Sequence, residues 1–268
     1  VKPRLFRCSP SSLAAFTDCP RAYWYANLAR PRPVKQPLNA YRAVGVAVHG
    51  AAAQLWDDPA VPAAELVTAQ WPTQAFTDPR RSARWLGRAQ GWVTRYASTV
   101  DRRRQPAGIE RTVATATATL TISGRVDRID DRGGELILVD LKAGHRPPNP
   151  DDARSSMQLA MYALCVARTL RRPCWRVELH HVPTGAGAGA VHDQESLARQ
   201  ISRAADIAID AQAATDTLEG GAHVDEAFPA RPGPLCGHCE WRPHCKAGQA
   251  AGPAADPEAL LDRWEAAA

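Results

Sequence analysis

The spacing of apolar residues changes period twice along the chain. In the first hundred positions it is helical: Val44, Val48, Ala52 and Leu55 share one face, which predicts a helix over residues 41–56 carrying His49 on a largely apolar surface. Upstream, Ser9-Pro10 ahead of SSLAAFTDCPRAYWYANLA reads as an N-cap with proline at the first helical position. It opens a short helix that carries Cys19 and ends before Pro31, Pro33 and Pro37. Further helices are predicted over residues 61–71 and 80–99.

After QPAG the period falls to two. Val, Thr and Ile alternate with small residues over 109–122, and GRVDRID and ELILVDLKA follow as strands parted by the turn sequence DDRGG. The helical period returns in DDARSSMQLAMYALCVARTL, residues 151–170, which reads as one continuous helix. WRVELHHV is then a strand, TGAGAGA a flexible loop, residues 193–217 an amphipathic helix, and residues 257–266 a short terminal helix. Strands, a helix and another strand predict an α/β fold with a mixed sheet whose last connection is a crossover. The chain divides into a helical region (1–107), a sheet core (108–190) and a part with helices and a cysteine cluster (191–268), all in one integrated domain. No internal repeat is visible.

Composition narrows the picture. With 268 residues, 45% of them hydrophobic, the chain can bury a sizeable core. Its longest charge-free, mainly apolar stretch, residues 43–56, is too short to cross a bilayer, and the opening VKPRLFRCSPSS lacks the pattern of a signal peptide. A soluble cytoplasmic protein without a membrane partner is expected. Seven cysteines, an odd number, point to metal binding more than to a disulfide framework in a reducing compartment.

Charge is uneven. The chain nets +5, but residues 1–104 hold 16 basic and 6 acidic side chains, so the front third suits a polyanionic partner. Within it Arg81, Arg84, Arg88 and Arg95 share a helical face beside Trp85, Trp92 and Tyr96. That face is either a solvated surface next to a core stripe or a nucleic-acid surface. Only four of the 33 basic residues are lysines, and one of these, Lys142, sits inside an apolar strand.

There the candidate chemistry gathers. Alternate residues of a strand share a face, so Asp140 and Lys142 point one way while Ile137, Val139 and Leu141 point the other. The preceding turn can bring Asp127 beside Asp140, and two converging carboxylates call for a hard divalent cation. The plainer alternative, a surface Asp–Lys pair on an edge strand, fits poorly with such apolar flanks. Near the C-terminal end, LCGHCEWRPHCK sets Cys236, Cys239 and Cys245 among His238 and His244. Spacing alone leaves open a local Cys3His zinc site or a fourth, distant cysteine, and zinc or iron-sulfur as its occupant.

Asp127 with Asp140-Leu141-Lys142 resembles the PD-(D/E)xK nuclease superfamily, and more closely its RecB-like branch, which includes four-cysteine iron-sulfur nucleases. SPSSLAAFTDCPRAYWY resembles that branch's N-terminal signature, GVAVHGAAAQLW its histidine motif, and QLAMY its Q-x-x-x-Y motif; the matches run in order from residue 9 to 245. Val126 stands where the superfamily's name has proline.

The resemblance implies a restriction-endonuclease-like mixed sheet flanked by helices. It implies Mg²⁺ or Mn²⁺ held by Asp127, Asp140 and the Leu141 carbonyl with His49 in support, Lys142 assisting the nucleophilic water, and Gln158 and Tyr162 positioning the scissile strand or a water. Glu110 is an outer acidic participant on this reading. Cys19 would join Cys236, Cys239 and Cys245 around a [4Fe-4S] cluster, zinc being the alternative occupant and Cys8 the competitor for the fourth place. The implied activity is a metal-dependent DNA exonuclease acting on single strands or free ends, in repair or recombination. The chain holds no G-x-x-x-x-G-K-[ST] phosphate loop, so a helicase or single-stranded-DNA-binding protein is the expected partner. Rival classes are a non-catalytic scaffold that binds DNA ends for a helicase, and a zinc-stabilised interaction module.

Overall fold

The structure is a computed structural model that describes residues 5–256 and 258–266. A short strand β1 (Phe6–Cys8) leads into helices α1 (Pro10–Asp18), α2 (Pro20–Asn27), α3 (Ala40–Ala53), α4 (Ala63–Ala69) and α5 (Pro79–Ala97). Strands β2 (Gly108–Ala116), β3 (Leu120–Arg132) and β4 (Glu135–Lys142) follow, then α6 (Pro150–Ser155), α7 (Met157–Leu170), β5 (Arg176–His181) and β6 (Ala186–Val191). The chain closes with α8 (Gln194–Glu219), α9 (Val224–Ala227), α10 (Lys246–Ala250) and α11 (Ala259–Ala266).

The six strands among the described residues form one mixed sheet in the order β1-β3-β4-β5-β6, with β2 antiparallel on the other edge of β3. The β3–β4 hairpin is antiparallel, and α6 and α7 carry the chain across to β5, which lies parallel to β4. Strand β4 is buried from Leu136 to Leu141 because helices cover both faces. Leu136 and Leu138 pack with Leu13, Leu159 and Leu197 from α1, α7 and α8, whereas Ile137, Val139 and Leu141 pack with α3, α5 and α11.

Four local readings change. Cys19 adopts an extended conformation between two helices instead of riding inside one, because the residue before Pro20 is disfavoured in the α region. Residues 151–170 break at Ser156, which is extended and accepts the Leu159 N–H to start α7 afresh. The stretch 109–122 is interrupted at Thr117, whose hydroxyl caps the turn into β3 by accepting from Leu120 N. TGAGAGA is not a loop: Gly185 takes a positive φ of 74° in the turn and residues 186–191 pair with β5. Its glycines leave no apolar alternation to read, yet a Cβ at Gly189 would crowd the Val177 carbonyl and Glu178 at 3.2 Å. Pro257, expected at the start of the terminal helix, lies outside the described residues; that helix begins at Ala259.

The arginine-rich helix α5 faces inward with its aromatics. Trp85 is fully buried, and Trp92 stacks on Trp264 of α11 at 4.6 Å, so neither indole is presented to a base. Arg81 is bound to Glu258 and Asp262, Arg88 lies over the Trp85 ring, and Arg95 donates to the Pro183 carbonyl. Arg84 is exposed. The aromatic stripe is therefore core packing, where its spacing alone also allowed a nucleic-acid surface. Removing the Trp264 keystone should cost about 3–5 kcal/mol, the range for deleting a buried aromatic. Urea unfolding of Trp264→Ala checks this.

Candidate active site

The β3–β4 ladder runs from Arg132↔Glu135 to Arg128↔Val139 and then stops. The next opposing positions in that register are Asp127 and Asp140. Farther along the same edge of β3, β1 takes up pairing at residues 120–122, so residues 123–127 border an opening in the sheet. Helix α3 runs beside it, its alanine-rich face buried, and sets His49 over the gap. The resulting cleft of about 1110 Å³ is lined by His49, Glu110, Asp127, Tyr162, Arg42 and Arg125 among others. No sequence pattern marks Arg42 and Arg125, beyond their places seven residues before His49 and two before Asp127.

Each carboxylate is held differently. Asp127 Oδ2 accepts the Leu141 N–H at 2.7 Å and lies 3.6 Å from His49 Nδ1. Asp140 Oδ1 accepts from Gln158 Nε2 at 3.1 Å, and the break at Ser156 is what brings Gln158, in the first turn of α7, into reach. Asp140 Oδ2 is buried and ion-paired, 2.7 Å from Lys142 Nζ. Lys142 balances that one charge, whereas Asp127, at the opposing position of β3, adds a second carboxylate to the notch, and two converging carboxylates call for a divalent cation.

Electrostatics agree with that reading. Burial, then the charge of Asp140, pushes the Asp127 carboxyl up to about 7, against the opposing Leu141 N–H bond. Burial holds the His49 imidazole below its ordinary value, so its lone pair is free at neutral pH. Tyr162 is pushed up to about 12 by burial and the two aspartates, which keeps its hydroxyl a donor. Its ring lies against bare backbone at Gly124, where a Cβ would come within 2.6 Å of it; this explains the glycine of GRVDRID. Leu141 contributes its N–H to Asp127 here. Glu110, with a positive φ of 46°, stands on β2 opposite Asp127 in register and reaches the cleft.

The cysteines gather elsewhere. Cys19, Cys236, Cys239 and Cys245 line one small cavity with Tyr25 and Trp241, which stack at 5.9 Å. Backbone N–H groups of Arg231 and Gly248 point at the sulfurs of Cys19 and Cys245 at 3.5 and 3.3 Å. His244 Nε2 bonds the Val34 carbonyl at 2.8 Å, and His238 does not line the cavity. Cys8, on β1, is core, with burial pushing its thiol up to about 11; Cys165 and Cys174 are likewise pushed up to about 12. Among the described residues no three histidine, cysteine or carboxylate side chains already stand at ligating separation. Four thiols turned to one cavity under N–H donors nonetheless suit a thiolate-bound group.

A mixed sheet opened by a divergent hairpin, with two carboxylates and a lysine at the divergence, defines a restriction-endonuclease-like fold bearing a cation-seeking acidic site. The sequence signature of the PD-(D/E)XK nuclease superfamily matches residues 7–246, and the chain belongs to that superfamily. Its members are phosphodiester hydrolases that use divalent metals such as Mg²⁺ or Mn²⁺. No protein of curated function matches the chain. Among solved structures, the chain is similar to a "putative exonuclease" from Eubacterium rectale, with a TM-score of 0.53 and 11% identity over 96% of this chain and 92% of that one. At that identity the likeness is one of fold. Among the described residues no helix is long and apolar enough to cross a membrane.

Proposed function

We propose that the chain is a metal-dependent exonuclease acting on single-stranded DNA or DNA ends, with Asp127, Asp140 and His49 holding the cation and Lys142 serving the reacting water. The observation that carries this reading is the convergence of Asp127 and Asp140 in one notch, where burial and the Asp140 charge raise the proton affinity of Asp127. A bound Mg²⁺ or Mn²⁺ would neutralise that pair and polarise the scissile phosphate.

The chain's own residues do the rest. Gln158 fixes one Asp140 oxygen so that the other faces the site. Lys142 Nζ, 2.7 Å from Asp140, orients a water and takes up charge developing on the phosphate. Tyr162 stays protonated and donates to a substrate oxygen. The open cleft with Arg42 and Arg125 on its walls suits a phosphodiester backbone, and the exonuclease preference is supported by the name of the similar structure. A strand-opening helicase or single-strand-binding protein would supply the substrate, with repair or recombination as the setting. Incubation with Mn²⁺ and matched linear and circular single-stranded DNA tests the choice: linear DNA should disappear and circles persist, whereas nicked circles would make the protein an endonuclease.

Cys19, Cys236, Cys239 and Cys245 are assigned here as ligands of a [4Fe-4S] cluster, joining α2 to the C-terminal segment as in the RecB-like branch. The shared cavity and its N–H donors support four thiolate ligands, and the core position of Cys8 removes its claim. Cys19→Ser, purified without oxygen, should lose iron and sulfide by chemical assay and melt lower, while Cys8→Ser keeps both. A wild-type protein carrying zinc and no sulfide would make the site a zinc clasp.

A further inference from the structure

We propose that Arg125 binds the backbone phosphate next to the scissile one, and that in the free protein Glu110 holds its guanidinium in reserve. The inference deepens the nuclease reading and rests on it. Arg125 and Asp127 share a face of β3 two residues apart, about 7 Å along the strand. That separation is of the order of successive phosphates in an extended nucleic-acid strand. Arg125 is largely exposed, with 69% of its side chain accessible, and lines the same cleft as His49 and Asp127.

Its partner in the free protein is Glu110, with Arg125 Nε 2.8 Å from Glu110 Oε2. Glu110 occupies the position opposite Asp127, between the pairs Ile109↔Arg128 and Arg111↔Val126. Two carboxylates directly across a ladder repel, and Arg125 is the cation that stands between Glu110 and that repulsion. An ion pair this exposed is weak in water. A phosphate offers the guanidinium a bidentate, doubly satisfied geometry, so an incoming strand takes Arg125 from Glu110. The carboxylate it leaves stands beside Asp127, where a divalent cation can share it. Substrate and cation thereby favour each other's binding, since coupling of this kind is reciprocal. Arg42 differs: its partner Glu240, 3.9 Å away, is shared with Lys35 and lies on the cysteine segment.

The test is fluorescence anisotropy of a labelled single-stranded oligonucleotide, titrated at several salt concentrations without divalent cations. Arg125→Gln should flatten the dependence of log K on log salt by about 0.7, the contribution of one single-strand phosphate contact, and Arg125→Lys should restore most of it. Glu110→Gln should tighten binding severalfold in the wild-type background and change nothing in the Arg125→Gln background. An unaltered slope in Arg125→Gln, or equal tightening by Glu110→Gln in both backgrounds, overturns the exchange and leaves the nuclease reading standing. A wild-type protein that fails to bind the strand at low salt overturns both.

Discussion

Asp140→Asn should reduce the single-turnover rate of DNA cleavage by at least about a thousandfold, the scale of losing a principal electrostatic group from a preorganised site. Asparagine keeps the shape and still accepts from Gln158, so the strand and its buried flanks are preserved. What disappears is the charge that faces Lys142 at 2.7 Å. The melting temperature should therefore not fall while the rate collapses, a combination that separates chemistry from folding. Lys142→Met should follow it, with a loss of about a hundredfold to a thousandfold. Asp131→Asn, at the far end of the same hairpin, where Asp131 pairs with Arg172 at 2.8 Å, should leave the rate unchanged.

The second large effect has opposite signs in two assays. Asp127→Asn should also abolish cleavage, yet the cation-free variant should be more stable than wild type at pH 8. The Asp127 carboxyl is pushed up to about 7 in the folded chain from a reference value of 3.8. A raised carboxyl favours folding when protonated: its contribution is fully present below about pH 4 and is lost as pH rises through about 7. Above that, two charged aspartates face each other in a partly desolvated notch, and asparagine removes the repulsion while its amide oxygen still accepts the Leu141 N–H. The expected gain at pH 8 is about 1–3 kcal/mol, discounted from the full linkage value because Asp140 shares the titration. It should close between pH 7 and 4 in urea unfolding curves. A variant less stable than wild type at pH 8 would show that the aspartates are already compensated without a cation.

These effects rest on residues that the sequence exposed unevenly. Strand alternation put Asp140 and Lys142 on one face, the DDRGG turn allowed Asp127 to come beside Asp140, and the family resemblance singled the three out. Gln158 was visible as a motif, but its approach to Asp140 depends on a helix break at Ser156 that helical periodicity conceals, since a serine N-cap inside an amphipathic run looks like any polar position. Strand β6 was hidden because Gly187 and Gly189 offer no side chains to alternate. The arginine and tryptophan stripe of α5 stayed open: the same spacing serves a nucleic-acid surface and a buried ridge, and the ring that packs Trp92 inward, Trp264, lies far along the chain.

The cysteines carry the same lesson. Local spacing allowed a histidine to complete the site, whereas the fold sets Cys19, 217 residues upstream of Cys236, on the same cavity. Pro20 accounts for this, because it ends α1 at Cys19 and leaves that residue extended between helices. Arg125 carried no signal, and Glu110, named through the resemblance, could not be given its backbone geometry. A positive φ at Glu110 is a property of the folded ladder, and no residue type at that position announces it.

The central claim is that the notch between β3 and β4 hydrolyses phosphodiesters with a divalent cation. Its most direct test is a time course on 5′-labelled linear single-stranded DNA with purified wild-type protein and Mn²⁺, beside Asp140→Asn. The account predicts progressive shortening of the strand that chelation stops and that the variant does not support. Full-length DNA, bound by the protein but uncut after the metal is supplied, would contradict it and make the chain a scaffold for DNA ends.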